Sequence, residues 1–288
     1  MRKPTQKKIP LKRKATVKRK SSYFKSNKVF FGLGIIFISL LMTAAYHYKN
    51  GLAYYLGFKT NKVIRNSAEA KHFSDVRNFQ LLSKYSEKAI GLDVSQYQEQ
   101  IDWPSVRAVE NTFPVRFVFI RATVGKDKVD LQFKNNWMGS KDNKILRGAY
   151  HYYRPNENSL EQAAIFIKTV QLRKGDLPPV LDIESLPENQ PIDSLKVGLR
   201  RWLQKIDAHY KVKPIIYTGE KYYNAFLKEE FNEYTFWIAN YNFFVEDIKD
   251  DWLFWQFTER ATVRGIPCDV DVNIYNGTPK MLQYLTIN

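Results

Sequence analysis

The chain has 288 residues, of which 44% are hydrophobic and 15% aromatic, and its formal net charge is +16 at pH 7. This length allows one large domain or two small ones with a sizeable core. The single cysteine, Cys268, excludes an internal disulfide and a zinc site built from several cysteines. The four histidines show no metal-ligand spacing, so we predict neither a metal nor another cofactor.

The positive charge is concentrated at the start of the chain. Residues 1–28 contain twelve Lys or Arg and no acid, which leaves only +4 for the other 260 residues. Residues 29–48 then contain no charged side chain, and twenty residues form a helix of about 30 Å, enough to cross a bilayer. We therefore predict a cytoplasmic tail over 1–28 and a single transmembrane signal anchor over 29–48. Since the tail explains the charge, we predict no nucleic-acid partner.

A cleaved signal peptide is the main alternative to an anchor, because Thr43, Ala44 and Ala45 are small enough for a processing site. The long basic region and the length of the apolar run favour an uncleaved anchor. The positive-inside rule then places everything after Lys49 across the membrane. Residues 49–88 show no strand pattern, and we interpret them as a juxtamembrane stalk that could be partly helical and that holds the domain off the membrane.

From residue 89 onward, apolar strand-like runs alternate with amphipathic segments. The predicted strands cover 89–94, 115–122, 145–153, 179–183, 214–218, 236–239, 253–257 and 270–274. The predicted helices cover 131–139, 159–172, 193–210 and 221–228, with a short one capped by Asp102. Strand and helix alternate five times and strands dominate thereafter. This α/β order predicts a parallel sheet closed into a barrel with an irregular end.

The fourth strand ends in two acids one residue apart, Asp182 and Glu184. Their side chains share one face of the strand, with β-carbons about 7 Å apart, so both carboxyl groups can reach one substrate. Burial and like charge would separate their pKa values, leaving one group protonated and the other ionised, as in glycoside hydrolysis. Alternatively, both acids only cap the following loop or pair with Lys and Arg.

Several predicted strands, including the fourth, have polar side chains at their carboxyl ends, and these ends meet at one rim of such a barrel. These residues are Asp93, Arg121, His151, Tyr152, Asp182, Glu184, Tyr217, Asn240 and Gln256. Acids, phenols and amides that converge on one rim are typical of a carbohydrate-cleaving pocket.

Seven short motifs follow one another across residues 89–285. They are GLDVSxY at 91–97, GAYHYYRP at 148–155, VLDIE at 180–184, IYT at 216–218, WIANY at 237–241, WQF at 255–257 and VDVN at 270–273. In type and order they resemble the motifs of glycoside hydrolase family 25 muramidases, the lysozymes of the Chalaropsis type. The resemblance implies an irregular TIM-like (β/α)5(β)3 barrel over 89–288 that cleaves the β-1,4 bond between N-acetylmuramic acid and N-acetylglucosamine in peptidoglycan. With the anchor, it implies a monomeric enzyme at a bacterial cytoplasmic membrane, with the barrel periplasmic or extracellular.

The resemblance also implies roles for the acids. Glu184 matches the general acid that protonates the leaving glycosidic oxygen, and Asp182 matches the acid that orients the acetamido group of the substrate. Asp93 and Asp271 match two further acids of the pocket, although Asp271 could chiefly hold a neighbour in place. Retention through the acetamido group and inversion by water both stay open.

The remaining candidates would bind the substrate. Phenols such as Tyr152 and Tyr217 can hydrogen-bond a sugar, and the indole of Trp237 can stack on one, although all three could be ordinary core aromatics. The amides of Asn240 and Gln256 complete the predicted rim. Arg121 is a candidate for binding a carboxylate, with a structural ion pair equally compatible. For His151 a structural role is favoured over that of a base.

Other classes of function stay open. A peptidoglycan-binding membrane protein without turnover would be suggested by substitution of the acids, yet Asp182 and Glu184 are both present. Another N-acetylhexosaminidase-type hydrolase is a second alternative, and a chitinase-like enzyme would show a longer Asp-x-x-Asp-x-Asp-x-Glu run, which residues 177–184 lack. A membrane scaffold for wall-synthesis enzymes would leave the acids unexplained.

Overall fold

The computed structural model describes residues 23–47 and 68–287. The chain divides into two compact units, residues 1–52 and 53–288. The first unit contains helix α1, Tyr23–His47, on which most of the predicted anchor falls. Most of the predicted tail and residues 49–67 of the predicted stalk lie outside the described residues. Among the described residues, no helix is both long enough and apolar enough to cross a membrane, so the predicted transmembrane helix is not confirmed.

Eight strands of the second unit close into a barrel. They are β1 Ile90–Val94, β3 Phe113–Val124, β5 Leu146–Tyr152, β6 Val180–Asp182, β7 Ile215–Gly219, β8 Thr235–Ala239, β9 Trp252–Ala261 and β10 Val270–Tyr275. Each pairs with the next in this order, and β10 returns to β1. All pairs are parallel except the two made by β10. The predicted α/β barrel is confirmed at this level.

Two short strands, β2 Ala108–Val109 and β4 Lys128–Val129, pair with β3. The helices that follow α1 are α2 Ala68–Lys84, α3 Phe133–Asp142, α4 Ser159–Thr169, α5 Ile192–Tyr210, α6 Glu220–Tyr222 with a π-helical turn to Leu227, and α7 Pro279–Tyr284. The short helix predicted near Asp102 is only a 3-10 turn, because the Asp102 carboxylate accepts a hydrogen bond from Ser105 Oγ (2.5 Å) and caps no backbone N–H. In contrast, α4 begins where predicted, since the Asn158 side chain accepts hydrogen bonds from two backbone N–H groups.

The alternation of strand side chains divides the core into two parts. Outside the barrel, the apolar stripe of α5, with Trp202 at its centre, packs against the strands. Inside the barrel, aromatic rings fill the lower part, and Phe119 stacks on Trp237 with ring centroids 4.8 Å apart. The interior is therefore packed below, and polar side chains collect only towards the carboxyl ends of the strands.

Helix α2 lies within the predicted stalk and packs against the barrel. Its residues Leu81 and Leu82 are buried, and the buried Arg77 donates a hydrogen bond to the carbonyl of Phe257 on β9 (2.7 Å). The folded barrel domain therefore begins before residue 89. Residue patterning did not indicate the bounds or the packing of this helix, because its buried face mixes leucines with Arg77 and Asn78.

Candidate active site

Strand alternation brings the four predicted acids together in the upper barrel interior. Asp93 on β1 lies directly opposite Asp271 on β10 in the antiparallel register. Asp182 ends β6 beside Tyr217 of β7, and Glu184 follows two residues later. The charge of Glu184 acts on the pKa of each of the three aspartates, as expected for one shared site.

Asp182 and Glu184 form a coupled pair. Asp182 is buried, and its Oδ1 accepts no hydrogen bond from any donor in the described part of the chain. Burial above all, and then the charge of Glu184, raises the pKa of Asp182 well above its usual value. Glu184 is exposed at the rim, yet the surrounding walls partly desolvate it and raise its pKa, while a hydrogen bond from Asp182 lowers it. Of the two carboxyl groups, Asp182 is therefore the one whose protonated form burial favours more.

Asp93 lies at the centre of an amide network. Gln256 Nε2 and Asn273 Nδ2 both donate to Asp93 Oδ2, at 2.7 and 2.8 Å. Burial raises the pKa of Asp93 to about 6, against the opposing effect of these two hydrogen bonds. The repulsive charge of Glu184 adds to the increase.

Hydrogen bonds to the side-chain oxygens of Gln256 and Asn273 fix the orientation of both amides. Tyr217 Oη donates to Gln256 Oε1 (2.7 Å), and Tyr241 Oη donates to the same oxygen. The indole N–H of Trp237 donates to Asn273 Oδ1 (2.7 Å). Each amide oxygen is thus occupied, which turns the NH2 groups towards Asp93.

The pKa values of two other groups in the barrel interior are also raised. Burial raises the pKa of Asp271 well above its usual value, and the charges of Asp93 and Glu259 raise it further. Tyr150 is buried in the same interior, where burial and the charge of Asp93 raise its pKa. Sequence reasoning did not name Tyr150 as a site residue, although it lies two positions before the predicted Tyr152 and so on the same face of β5.

Three residues that sequence analysis did not count as site residues therefore belong to the site: Tyr150, Tyr241 and Asn273. All three lie within the recognised motifs. Only the register of the folded barrel distinguishes them from their neighbours.

His151 does not reach the predicted rim. It lies on the outer face of β5, where it is fully buried and stacks on Trp202 with ring centroids 5.5 Å apart. Its Nδ1 shares a hydrogen bond with Thr123 Oγ1 (2.7 Å) and its Nε2 with Gln162 Oε1 (3.0 Å). Because alternate side chains point to opposite faces, Tyr150 and Tyr152 cannot both face inward together with His151.

His151→Gln is expected to remove part of the acid sensitivity of folding without changing activity. Burial lowers the pKa of His151 to about 4, so its neutral form stabilises the fold above the unfolded pKa of about 6.5, and this stability is lost as pH falls towards 4. The difference between these two pKa values corresponds to about 3 kcal/mol of unfolding free energy. Denaturant unfolding of both proteins at pH 7 and pH 4 should show their stability difference changing by up to that amount. A difference that is independent of pH would contradict this assignment.

Three other predicted binding residues are held by the protein itself. Trp237 is only 1% exposed at the base of the site, which leaves no face for stacking on a sugar. Arg121 pairs with the buried Asp130 (2.8 Å), so the structural alternative describes it better. Asn240 lines the cleft, but its side-chain NH2 donates to Glu220.

A cleft of about 630 Å³ opens beside Glu184, a volume suited to a small-molecule or oligosaccharide segment. Tyr217, Asn240 and Tyr241 form one part of its wall, and Ser74 and Arg77 of α2 form another. Within residues 23–47 and 68–287, no group of three or more His, Cys, Asp or Glu side chains is arranged to hold a metal ion.

The chain is similar to a known protein family and to several known proteins. The sequence model of "Glycosyl hydrolases family 25" matches residues 92–266. YegX of Escherichia coli K12 is 38% identical over 215 residues, which cover 73% of this chain and 78% of that protein. Lysozyme M1 of Streptomyces globisporus is 32% identical over 214 residues, 69% of this chain and 71% of that protein. A lysozyme structure from Streptomyces coelicolor superposes with a TM-score of 0.62 at 28% identity, covering 69% of this chain and 97% of that one.

Proposed function

This chain belongs to glycosyl hydrolase family 25 and is a glycoside hydrolase, and on that premise we propose that it is a muramidase. Its substrate would be the β-1,4 bond between N-acetylmuramic acid and N-acetylglucosamine in peptidoglycan. The observation that carries the proposal is the cluster of four acids, Asp93, Asp182, Glu184 and Asp271, in which the charge of Glu184 acts on each aspartate and Glu184 lines the cleft. A binding protein without turnover would not need four mutually repelling acids in a desolvated site.

Glu184 is proposed as the general acid, although Asp182 is the member of the pair whose protonated form burial favours more. Oδ1 of Asp182 is buried and receives no donor from the described residues, so it can accept the N–H of the substrate acetamido group. That new hydrogen bond would lower the pKa of Asp182 and pass its proton to Glu184 along their shared hydrogen bond. Glu184 would then protonate the glycosidic oxygen as its bond to the anomeric carbon breaks.

The mutual influence of Asp182 and Glu184 favours the substrate's own acetamido oxygen as the nucleophile. Enzymes with a carboxylate nucleophile keep their two carboxyl groups ~5 Å apart, and inverting enzymes keep them ~6.5 Å or more apart to admit water. Asp182 and Glu184 act on each other's pKa as hydrogen-bonding neighbours, which suits neither of these separations. Net retention is the expected outcome, and proton NMR showing the inverted anomer as the first product would exclude it.

Asp93 is proposed to act in its ionised form. A buried carboxylate in the mouth of the barrel stabilises the positive charge that develops at the anomeric carbon. Since its pKa is about 6, this contribution should appear as an acid limb of the activity profile near that pH.

The test is to incubate the full chain with purified peptidoglycan and to identify the new reducing ends. New N-acetylmuramic acid ends are expected. N-acetylglucosamine ends would identify a glucosaminidase instead, and sedimentation with peptidoglycan without new ends would identify a binding protein.

We also propose that the barrel works on the outer side of a bacterial cytoplasmic membrane. The support is in the sequence, where a basic stretch over 1–28 precedes twenty uncharged residues. Protease added to spheroplasts should release the barrel domain, while alkaline carbonate should leave the intact chain in the membrane pellet. Extraction by carbonate would contradict the anchor.

A further inference from the structure

One loop beside the cleft is held in part by the segment that precedes the barrel. We call residues 240–251, between β8 and β9, the cleft loop. Arg77 of α2 is 7% exposed, and its guanidinium donates to the carbonyls of Asn242 (3.0 Å) and Val245 (3.4 Å) in this loop. The same guanidinium donates to the carbonyl of Phe257 on β9 (2.7 Å). A single side chain thus joins the loop to the neighbouring strand.

The residues after Arg77 continue the attachment along the loop. Lys84 Nζ donates to the carbonyl of Glu246 (3.1 Å) and to Asp247 Oδ1 (2.7 Å). Tyr85 Oη donates to the same Glu246 carbonyl and accepts a hydrogen bond from the backbone N–H of Ile248, both at 3.1 Å. From Arg77 to Tyr85, the chain therefore contacts most of the length of the cleft loop.

The attachment points are next to residues of the active site. Asn242 follows Tyr241, whose hydroxyl donates to Gln256, and Phe257 follows Gln256 itself. Arg77 therefore binds the backbone immediately after each partner of the Tyr241–Gln256 hydrogen bond. Gln256 in turn donates to Asp93 (2.7 Å).

We propose that Arg77 is a positioning residue for hydrolysis, which holds Tyr241 and Gln256 in register so that Gln256 keeps its hydrogen bond to Asp93. Helix α2, which lies before the family-matched residues 92–266, is then a working part of the active site. Arginine suits this task because its planar fork offers several N–H donors in fixed directions, whereas lysine offers a single ammonium group. The inference rests on the proposed muramidase function for its kinetic test.

Arg77→Lys in the full chain tests the proposal. We expect kcat on peptidoglycan to fall about 10- to 100-fold with KM changed less than about threefold, because displaced catalytic groups slow the reaction of bound substrate. The acid limb of the activity profile should move to higher pH, since the Gln256 hydrogen bond lowers the pKa of Asp93 and its loss would raise that pKa. Tyr241→Phe should cause the same shift, and the double variant should lose little more than either single one.

The matched control is Arg147→Lys. Arg147 is equally buried and donates to Asp176 Oδ1 (2.8 Å) and to the carbonyl of Trp137 (2.5 Å), but it lies near the start of β5, at the opposite end of the barrel. Its replacement should lower the melting temperature and leave kcat and the pH profile unchanged. An active wild type with normal kcat and an unshifted profile in Arg77→Lys overturns the inference. A wild type that releases no reducing ends overturns the proposed function instead.

Tyr85→Phe keeps the inference testable if Arg77→Lys does not fold. It removes one hydroxyl from the same attachment and leaves the ring packed against Trp255 (centroids 6.4 Å apart). We expect a shift of the acid limb in the same direction and a fall in kcat of about two- to fivefold. An unchanged profile would count against the proposal.

Discussion

Replacing Glu184 by Gln is expected to reduce kcat on peptidoglycan by about 10²- to 10⁴-fold, the range that a general acid contributes. Glutamine retains the size of the side chain and can still accept the hydrogen bond from Asp182, so the change removes the proton without opening the site. Release of N-acetylmuramic acid ends by equal amounts of folded protein measures the loss. KM should change little, because the lost interaction belongs to the transition state.

Two comparisons make this result specific to proton donation. Glu188→Gln alters an exposed acid four residues along the same loop and should retain wild-type activity. A glycoside whose aryl leaving group departs without protonation should rescue most of the activity of Glu184→Gln. If the variant loses as much activity on that substrate as on peptidoglycan, Glu184 is not the proton donor, and Asp182 becomes the candidate.

The sequence predicted the barrel and its acids because both follow from local rules. Parallel strands that alternate with helices form a sheet covered by those helices, and such a sheet can close into a barrel. Side chains two residues apart on a strand lie on the same face. The spacing of Asp182 and Glu184 therefore carried structural information before any coordinates. The same rule, applied to 150–152, would have excluded His151 from the rim, because its neighbours on both sides face inward.

Depth within the barrel was not predictable in the same way. Trp237 and Tyr217 both face the interior, yet Trp237 is 1% exposed and supports Asn273, whereas Tyr217 reaches the cleft. This difference depends on the stagger between strands, and the sequence of a single strand does not contain it. The partners of Asn273 became visible only once β8 and β10 were placed.

Helix α2 shows a second limit of sequence patterning. Patterning detects an apolar stripe, whereas α2 binds the barrel through hydrogen bonds from Arg77 and Asn78 to backbone carbonyls 180 and 182 residues away in sequence. A buried polar side chain is stable only where partners meet it, and those partners come from β9. Contacts of this kind are set by tertiary structure alone.

Asp93→Asn is expected to stabilise the fold and at the same time to abolish most activity. Burial raises the pKa of Asp93 from about 3.8 in the unfolded chain to about 6 in the fold. Its protonated form is therefore the stable one, and the stability that this group provides below pH 4 is lost as pH rises through 6. The difference between these two pKa values corresponds to about 3 kcal/mol of unfolding free energy. The variant would not lose this stability as pH rises, because an amide is never charged.

The difference in unfolding free energy between Asp93→Asn and the wild type should therefore grow in favour of the variant by up to about 3 kcal/mol between pH 4 and pH 8. The amide oxygen of the variant can still accept hydrogen bonds from Gln256 and Asn273, so the network stays satisfied. Activity should fall by at least about 10²-fold, because the charge that stabilises the transition state is gone.

Asp102→Asn, at an exposed position, should change neither quantity. A pH-independent stability difference would mean that Asp93 is not desolvated. Greater stability with undiminished activity would mean that its charge takes no part in the reaction.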